Sequence, residues 1–219
     1  MPQKSKENRK SLPKNWPPNV TYLTDLSYTA KLDRSVLRIS RSLLPAESAI
    51  LTLPRLTLPS PLVRITPITN SQHPAYPQFG LFAARNLPAG SFILLYLGFA
   101  HTDAESDFTS DYDLSLDRES GVGVDASKAG NEARFMNDYR GIKEAPNAEF
   151  KDAWIEESIK GNGGDVMMSN RIGVFVLNAG KSGKRAKGIA KGEEIVVSYG
   201  KGFWRERQSE YGKEDVAEH

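Results

Sequence analysis

The residue types available for chemistry in this 219-residue sequence are limited, because it has no cysteine and three histidines. The histidines, His73, His101 and His219, are scattered along the chain. The absence of cysteine excludes disulfides, thiolate metal sites and a cysteine nucleophile. The sequence gives no sign of a histidine-rich metal site or a histidine-dependent triad. Any chemistry is therefore expected to use Tyr, Asn, Asp, Glu, Lys, Ser or backbone groups, and no metal is predicted.

Two short motifs resemble ligand-binding loops but lack residues that those loops require. The segment AGKSGK resembles a phosphate-binding loop, but Phe175 stands where that loop needs its first glycine. Asp111, Asp113, Ser115 and Asp117 have the spacing of a calcium loop. That loop also requires a glycine at its sixth position and an acid at its twelfth, which here are Leu116 and Val122. Leucine and tyrosine alternate with the polar residues, which favours a half-exposed strand.

Three other segments occur in a characteristic order and spacing. They are GLFAARNLPAGSFILLYLG (80–98), VDASKAGNEARFMND (124–138) and KGEEIVVSYGKGFW (191–204). Together they resemble the SET domain of protein lysine methyltransferases. The resemblance implies a β-rich α+β fold, a β-clip of small sheets with a C-terminal pseudoknot, and S-adenosylmethionine (SAM) as the cofactor. It also implies that the second and third segments form one site.

The resemblance implies that Tyr199 is the active-site tyrosine, near the transferred methyl group and the substrate amine. Tyr96 and Tyr112 match aromatic walls of a lysine channel. Strand packing is the alternative interpretation for these two, as a buried strand-end tyrosine is for Tyr199. Methyl transfer needs alignment of the reacting atoms and an uncharged lysine, and an apolar aromatic channel supports both.

The expected cofactor site centres on Asn137, which matches the asparagine that holds the amino-acid end of SAM. Further candidates are supporting residues of that loop, backbone that lines the pocket and rings near the adenine: Asn131, Arg134, Phe135, Asp138, Leu81, Phe82, Ala83, Phe203 and Trp204. The alternatives are a short capped turn for the NEARFMND segment and a lid over the core for Trp204.

The sequence departs from the family pattern at several positions. Gln78 replaces the first glycine of G-x-G, and Asp138 replaces the histidine of an N-H pair. The cysteine clusters that flank many relatives are absent, so the C-terminal lid is expected to be held by packing of Phe203 and Trp204. Val197 stands where the family carries an aromatic residue that limits methylation, which predicts that addition is not confined to one methyl group.

The charge distribution is more informative than the net charge of +2. Residues 101–119 are acidic and occupy the variable insert that helps form the substrate groove in the family. Asp103, Asp107 and Asp111 are therefore expected to attract a basic protein substrate with an exposed lysine, such as a histone or a ribosomal or translation protein. Solvated loops are the alternative. Basic runs at residues 1–10 and 181–191 allow nucleic-acid contact, which the small net charge disfavours.

The elements that must position these residues are mainly short strands. The patterns predict strands at 63–68, 79–84, 92–99, 112–116, 122–124, 172–177 and 194–198, and a helix at 35–44. Residues 150–159 fit either a helix or a strand. The predicted organisation is a flexible basic and proline-rich tail (1–20), an extension packing on the core (21–61), the SET domain (62–204) and a polar tail (205–219).

The sequence shows no apolar run of membrane-spanning length and no secretory signal. We therefore expect an intracellular protein of the nucleus or cytoplasm, acting as a monomer. The functional hypothesis is a SAM-dependent protein-lysine N-methyltransferase. The alternative is an inactive SET-like module that binds basic protein segments.

Overall fold

A computed structural model describes residues 12–51, 58–160, 165–180, 187–200 and 203. These residues form fifteen strands, most of them short: Thr21–Tyr22 (β1), Ser27–Tyr28 (β2), Arg38–Ser40 (β3), Ala49–Leu51 (β4), Val63–Pro67 (β5), Phe79–Ala83 (β6), Phe92–Tyr96 (β7), Phe99–Thr102 (β8), Asp113–Asp117 (β9), Val122–Asp125 (β10), Ala129–Gly130 (β11), Asn137–Asp138 (β12), Ala148–Lys160 (β13), Val166–Val176 (β14) and Val196–Val197 (β15). Short 3-10 helices lie at Arg34–Leu37, Arg41–Leu43, Asp103–Glu105 and Glu132–Phe135. The predicted β-rich class is confirmed.

The strands form several small sheets around one core. The largest has the order β3-β14-β13-β4, and β7 also pairs with β14. A second sheet has the order β2-β8-β10-β9, and β5 and β6 form a hairpin. Strand β14 is almost entirely buried because both of its faces are covered, and residues such as Met168 and Val174 are fully enclosed. The long β13–β14 hairpin forms the centre of the largest sheet, and β3, β4 and β7 pair with its two strands.

The predicted helix at 35–44 is wrong. Residues Arg38–Ser40 pair with Met167–Ser169 of β14 instead, and short 3-10 helices flank them. Val36 and Leu43, two members of the proposed apolar face, are 43% and 71% exposed. Pairing with β14 satisfies the backbone hydrogen bonds of residues 38–40. The β-branched residues Val36 and Ile39 also lower the helix propensity of the segment.

The predicted strand at 92–99 is divided by a turn at Gly98. A Cβ atom at this position would lie 2.4 Å from the backbone oxygen of Asp125, so the two segments touch through their backbones. This contact sends β7 into the large sheet and β8 into the second one. The ambiguous segment at 150–159 belongs to strand β13, because β14 pairs with it along its length.

The C-terminal segment of the domain lies between two earlier parts of the chain. The Ile195 amide donates to Leu81 O at 2.8 Å, and the Tyr139 amide donates to Val197 O at 2.9 Å. Strand β15 also runs parallel to β12, with Asn137 opposite Val196. This pairing brings the NEARFMND segment next to the SYG turn, as the resemblance predicted.

Residues 12–20 were predicted to belong to a flexible tail, but in the structure they pack on the domain. Val20 is buried, and the Asn15 side-chain amide donates to Ile65 O at 2.9 Å. Residues 1–11 and 205–219, which make up the rest of the expected tails, lie outside the described residues. No helix in the described part of the chain is long and apolar enough to span a membrane.

Candidate active site

Two cavities meet at Tyr199. The first cavity has a volume of about 530 Å³ and the second about 520 Å³. Both have volumes typical of ligand pockets. Their shared lining residues are Asp111, Tyr112, Arg134, Tyr199 and Phe203. Tyr199 therefore lies in the lining of both cavities, together with residues that were predicted to serve a cofactor and a substrate.

Tyr199 is held by hydrogen bonds at both ends. Its hydroxyl donates to Met136 O at 2.7 Å, and its amide donates to Asp138 Oδ2 at 2.8 Å. The Phe203 ring packs edge-on against the phenol, with centroids 5.0 Å apart. Burial raises the pKa of the Tyr199 phenol above its ordinary value, and the Asp138 carboxylate acts in the same direction. The phenol therefore stays protonated and presents a fixed dipole at the junction.

Tyr96 and Tyr112, the predicted channel residues, both line the second cavity. Tyr96 lines the second cavity, and its hydroxyl donates to Tyr112 O at 2.6 Å. Burial raises the pKa of Tyr96 well above its ordinary value, so this group is also uncharged. The Arg134 guanidinium lies over the Tyr112 ring, 4.3 Å from its centroid, in a cation–π contact. Phe150 of β13 packs edge-on against Tyr96.

Asn137 lines the first cavity and is fixed by a buried carboxylate. Its side-chain amide donates to Glu194 Oε1 at 2.9 Å, and the Glu194 side chain is 7% exposed. The other oxygen of Glu194 lies 3.0 Å from His73 Nε2. His73 Nδ1 accepts from the Ala75 amide, so Nε2 carries the proton and donates to Glu194. Glu194 thus connects Asn137, through His73, to the loop that contains Ala75, which also lines the first cavity.

Asp138 has a structural connection that the sequence did not show. Its carboxylate accepts hydrogen bonds from the Tyr199 amide and from the amide and guanidinium of Arg140. The side chain is 5% exposed, and the Arg140 pair neutralises it where it is buried. Asp138 therefore connects the SYG turn to strand β12, which lines the first cavity.

The walls of the first cavity include residues that sequence reasoning missed. Pro17, Pro74, Ala75, Phe79, Arg140 and Ile142 line it, together with Gln78, Asn137 and the predicted Phe135. The backbone of Leu81 and Ala83 was predicted to line the cofactor pocket, with the side chains in the core. Both side chains are fully buried in the core, and neither residue is among those that line the first cavity. Phe82 lies on the same hairpin, in a bridge with Glu194. The first residue of β6, Phe79, therefore lines the cavity, together with Gln78, which precedes the strand.

Asn131, a predicted cofactor-site residue, has a structural role in the core. It is fully buried, its Nδ2 donates to Leu95 O at 2.9 Å, and its Oδ1 accepts from the Leu97 amide at 3.2 Å. These bonds satisfy two backbone groups at the end of β7, where the strand turns away at Gly98. Both polar atoms of the Asn131 side chain are therefore hydrogen-bonded to backbone groups of the domain.

The substitution Asn131→Ala is expected to destabilise the protein by about 2 kcal/mol, because it leaves two buried backbone groups without partners. Urea denaturation measures the change, and Asn19→Ala, which alters an exposed asparagine, serves as the control. A free energy of unfolding equal to that of the native chain would contradict the structural role.

The acidic run lines the second cavity. Asp103, Asp107 and Asp111 all contribute to it, and Asp113 lies beside them. Hydrogen bonds from Thr109 lower the pKa of Asp107, which keeps this exposed carboxylate charged. His101 also lines the cavity, and its two ring nitrogens lie 3.0 Å from Thr102 O and 3.1 Å from Asp113 Oδ1.

The remaining predicted residues differ in placement. Val197 is fully buried and belongs to the hydrophobic core, where it pairs with Asp138. Phe203 lines both cavities, as expected for a ring near the cofactor. Trp204 lies outside the described residues. Among the residues that the structure describes, no group of three or more His, Asp or Glu side chains is placed to hold a metal ion.

The family model of the SET domain matches residues 78–200, more than half of the chain. A search of curated proteins gives no match. Among solved structures, a chain of the Chaetomium thermophilum Polycomb Repressive Complex 2 bound to GSK126 is 22% identical, with a TM-score of 0.45 over 63% of this chain and 16% of that one. In another crystal structure of this complex the identity is 24% and the TM-score 0.43, over 63% and 15%.

This chain thus spans about one sixth of the length of those proteins. The family match runs from Gln78 to Gly200 and so includes Tyr199 and Asn137, which line the cavities. The chain therefore belongs to the SET domain family.

Proposed function

We propose that this protein is a SAM-dependent protein-lysine N-methyltransferase. The observation that carries the proposal is the meeting of two cavities at Tyr199. In-line methyl transfer requires a donor and an acceptor on opposite sides of one point, and two cavities joined at a fixed phenol provide this arrangement.

The residues of the first cavity fit SAM. The apolar rings of Phe79 and Phe135 suit the adenosine part, and the polar groups of Asn137 and Gln78 suit the amino-acid part. SAM supplies a methyl group activated on a sulfonium sulfur. The β12–β15 pairing that holds Asn137 beside Tyr199 would correspond to the pseudoknot of the family.

The second cavity fits a lysine side chain. Its inner wall contains the uncharged rings of Tyr96 and Tyr112 together with Ile172. Such surroundings disfavour an ammonium group and release its proton to solvent, which leaves the nitrogen lone pair free to attack. The dipoles of the Tyr199 and Tyr96 hydroxyls are fixed by their backbone acceptors, so little reorganisation is needed during transfer.

The outer wall of the second cavity indicates a basic protein segment as substrate, such as a histone tail or a ribosomal or translation-factor segment. Four aspartates line the wall, against Arg118, Arg134 and His101. Their field attracts a lysine- or arginine-rich chain and raises its association rate. We place this activity in the nucleus or cytoplasm and assign it to a monomer.

Incubation of the protein with radiolabelled SAM, a basic histone mixture and a ribosomal protein mixture tests the proposal. Label on lysine side chains is the expected result. A protein that binds the basic proteins without transferring label, and that shows no thermal shift with SAM, would instead be the inactive binding module.

Neutralising the acidic wall with Asp103→Asn, Asp107→Asn and Asp111→Asn is expected to raise KM for the protein substrate about tenfold. Each exposed ion pair contributes roughly 0.2–1 kcal/mol, and the effect should fade as salt is added. Steady-state kinetics at several ionic strengths measure it.

The matched control carries Glu47→Gln, Glu119→Gln and Glu144→Gln, which remove the same charge from exposed positions outside both cavities. An equal KM increase in both triple variants would mean that only the overall charge matters. An unchanged KM and salt dependence in the aspartate variant would exclude the acidic wall from substrate binding.

A further inference from the structure

The segment of residues 12–22, here called the strap, crosses the outside of the domain and joins it through a side-chain hydrogen bond and a strand pairing. The Asn15 amide donates to Ile65 O at 2.9 Å, and β1 pairs in parallel with β11. Within the strap, Trp16 Nε1 donates to Val20 O at 2.7 Å. The strap lies before the part of the chain that the SET domain match covers. Its position is set by contacts with β5 and β11.

The strap forms part of the wall of the first cavity. Pro17 lines this cavity, and the Trp16 ring beside it packs edge-on against Phe135, with centroids 5.7 Å apart. Phe135 in turn packs edge-on against Phe79 at 6.2 Å, and both of these rings line the cavity. Trp16 therefore does not line the cavity itself but contacts Phe135, one of the two rings that face the space assigned to the cofactor.

A buried carboxylate fastens the strap to the helix that carries Phe135. The Tyr22 hydroxyl donates to Glu132 Oε2 at 3.0 Å, and the Ser60 amide donates to Glu132 Oε1 at 2.7 Å. Glu132 is 2% exposed and begins the 3-10 helix Glu132–Phe135, which ends just before Asn137. Tyr22 also packs against Trp16, at 4.9 Å between centroids.

We propose that the strap completes the cofactor cavity and that Trp16 is a positioning residue, which acts by holding Phe135 in the cavity wall. The inference rests on the proposed function for the identity of the cofactor. Its physical basis is that the Trp16 indole packs edge-on against Phe135, and such an edge-to-face pair favours one arrangement of the two rings. Without the indole, Phe135 gains rotational freedom that cofactor binding must then remove.

Two measurements test the inference on the full chain. Isothermal titration with S-adenosylhomocysteine gives the affinity, and hydrogen exchange of the ligand-free protein reports on the backbone of residues 129–138. Trp16→Ala is expected to raise the dissociation constant about tenfold and to increase exchange in residues 129–138. Trp16→Phe, which keeps a ring, is expected to restore most of both properties.

Trp154→Ala is the matched control, since it removes a half-buried tryptophan from β13, outside the first cavity. It should leave both the affinity and the exchange of residues 129–138 unchanged. Trp16→Leu keeps an apolar cover without an aromatic edge, and it replaces the alanine variant if that variant does not fold.

Unchanged affinity and exchange in Trp16→Ala would overturn the inference, and so would equal effects in the two tryptophan variants. Increased exchange with unchanged affinity would also overturn it, because the strap would then serve stability alone. Failure of the native chain to bind S-adenosylhomocysteine would refute the proposed cofactor. In that case the exchange data still decide whether Trp16 holds residues 129–138.

Discussion

The substitution Tyr199→Phe is expected to lower kcat for lysine methylation by about 100-fold or more, the usual effect of removing one preorganised hydrogen-bonding group from an active site. The hydroxyl is the only group that the change removes, and it lies where the two cavities meet. Its bond to Met136 O fixes its direction, so its dipole is in place before the substrate arrives. Initial rates at saturating SAM and substrate measure the effect.

The affinity for S-adenosylhomocysteine should change much less in this variant, because the ring and its contact with Phe203 remain. Loss of the hydrogen bond to Met136 O costs about 1 kcal/mol of stability, which corresponds to a decrease in Tm of roughly 2–4 °C. The variant should therefore be folded, able to bind cofactor and nearly inactive.

Tyr28→Phe is the control, since it removes a phenol hydroxyl from a half-buried tyrosine outside both cavities. Its kcat should equal that of the native chain. If Tyr199→Phe retains the native kcat, the junction tyrosine has no catalytic role, and the SYG turn is a structural feature only.

The substitution Asn137→Ala is expected to weaken cofactor binding by about 10- to 100-fold, the equivalent of one or two hydrogen bonds to a charged ligand group. The side chain lines the first cavity and is oriented by Glu194, so it is ready to bind before the ligand enters. Titration with S-adenosylhomocysteine measures the dissociation constant.

Asn137 and Asn131 provide opposite tests within one short segment. Asn137 is half-buried and lines the cavity, so Asn137→Ala should reduce affinity, and its cost in the free energy of unfolding should be confined to the hydrogen bond that Glu194 Oε1 loses. Asn131 is fully buried and bonded to the backbone, so Asn131→Ala should reduce stability and leave the affinity of the folded protein nearly unchanged. The reverse pattern would mean that the roles of the two asparagines have been exchanged.

Glu194 links this test to the rest of the cavity. Its two carboxylate oxygens hold Asn137 and His73, and His73 in turn supports the loop that contains Ala75. Glu194 is not among the residues that line the first cavity, but it orients Asn137, so we expect the affinity for the cofactor to depend on it.

Much of the fold and part of the site were predictable from local patterns. Strands β5, β6 and β10 follow short runs rich in β-branched and aromatic residues, and their predicted bounds differ little from those observed. The helix predicted at 35–44 failed because pairing with β14 outweighed a weak helical pattern. Residues 150–159 could not be assigned from the sequence, since only pairing with β14 distinguishes the two interpretations.

The sequence by itself determined the available chemistry. The chain has no cysteine, which excludes thiolate chemistry, and the ordered set of three motifs, with a tyrosine in the last of them, favours methyl transfer by positioning and hydrogen bonding. Tertiary structure decided which residues of those motifs face a cavity. Asn131 and Asn137 are equally polar, but only the first is enclosed where β7 turns away. Likewise, Trp16 lies far from the motifs in sequence and contacts Phe135 because β1 pairs with β11. Burial and exposure at such positions depend on contacts between distant segments, which no local pattern encodes.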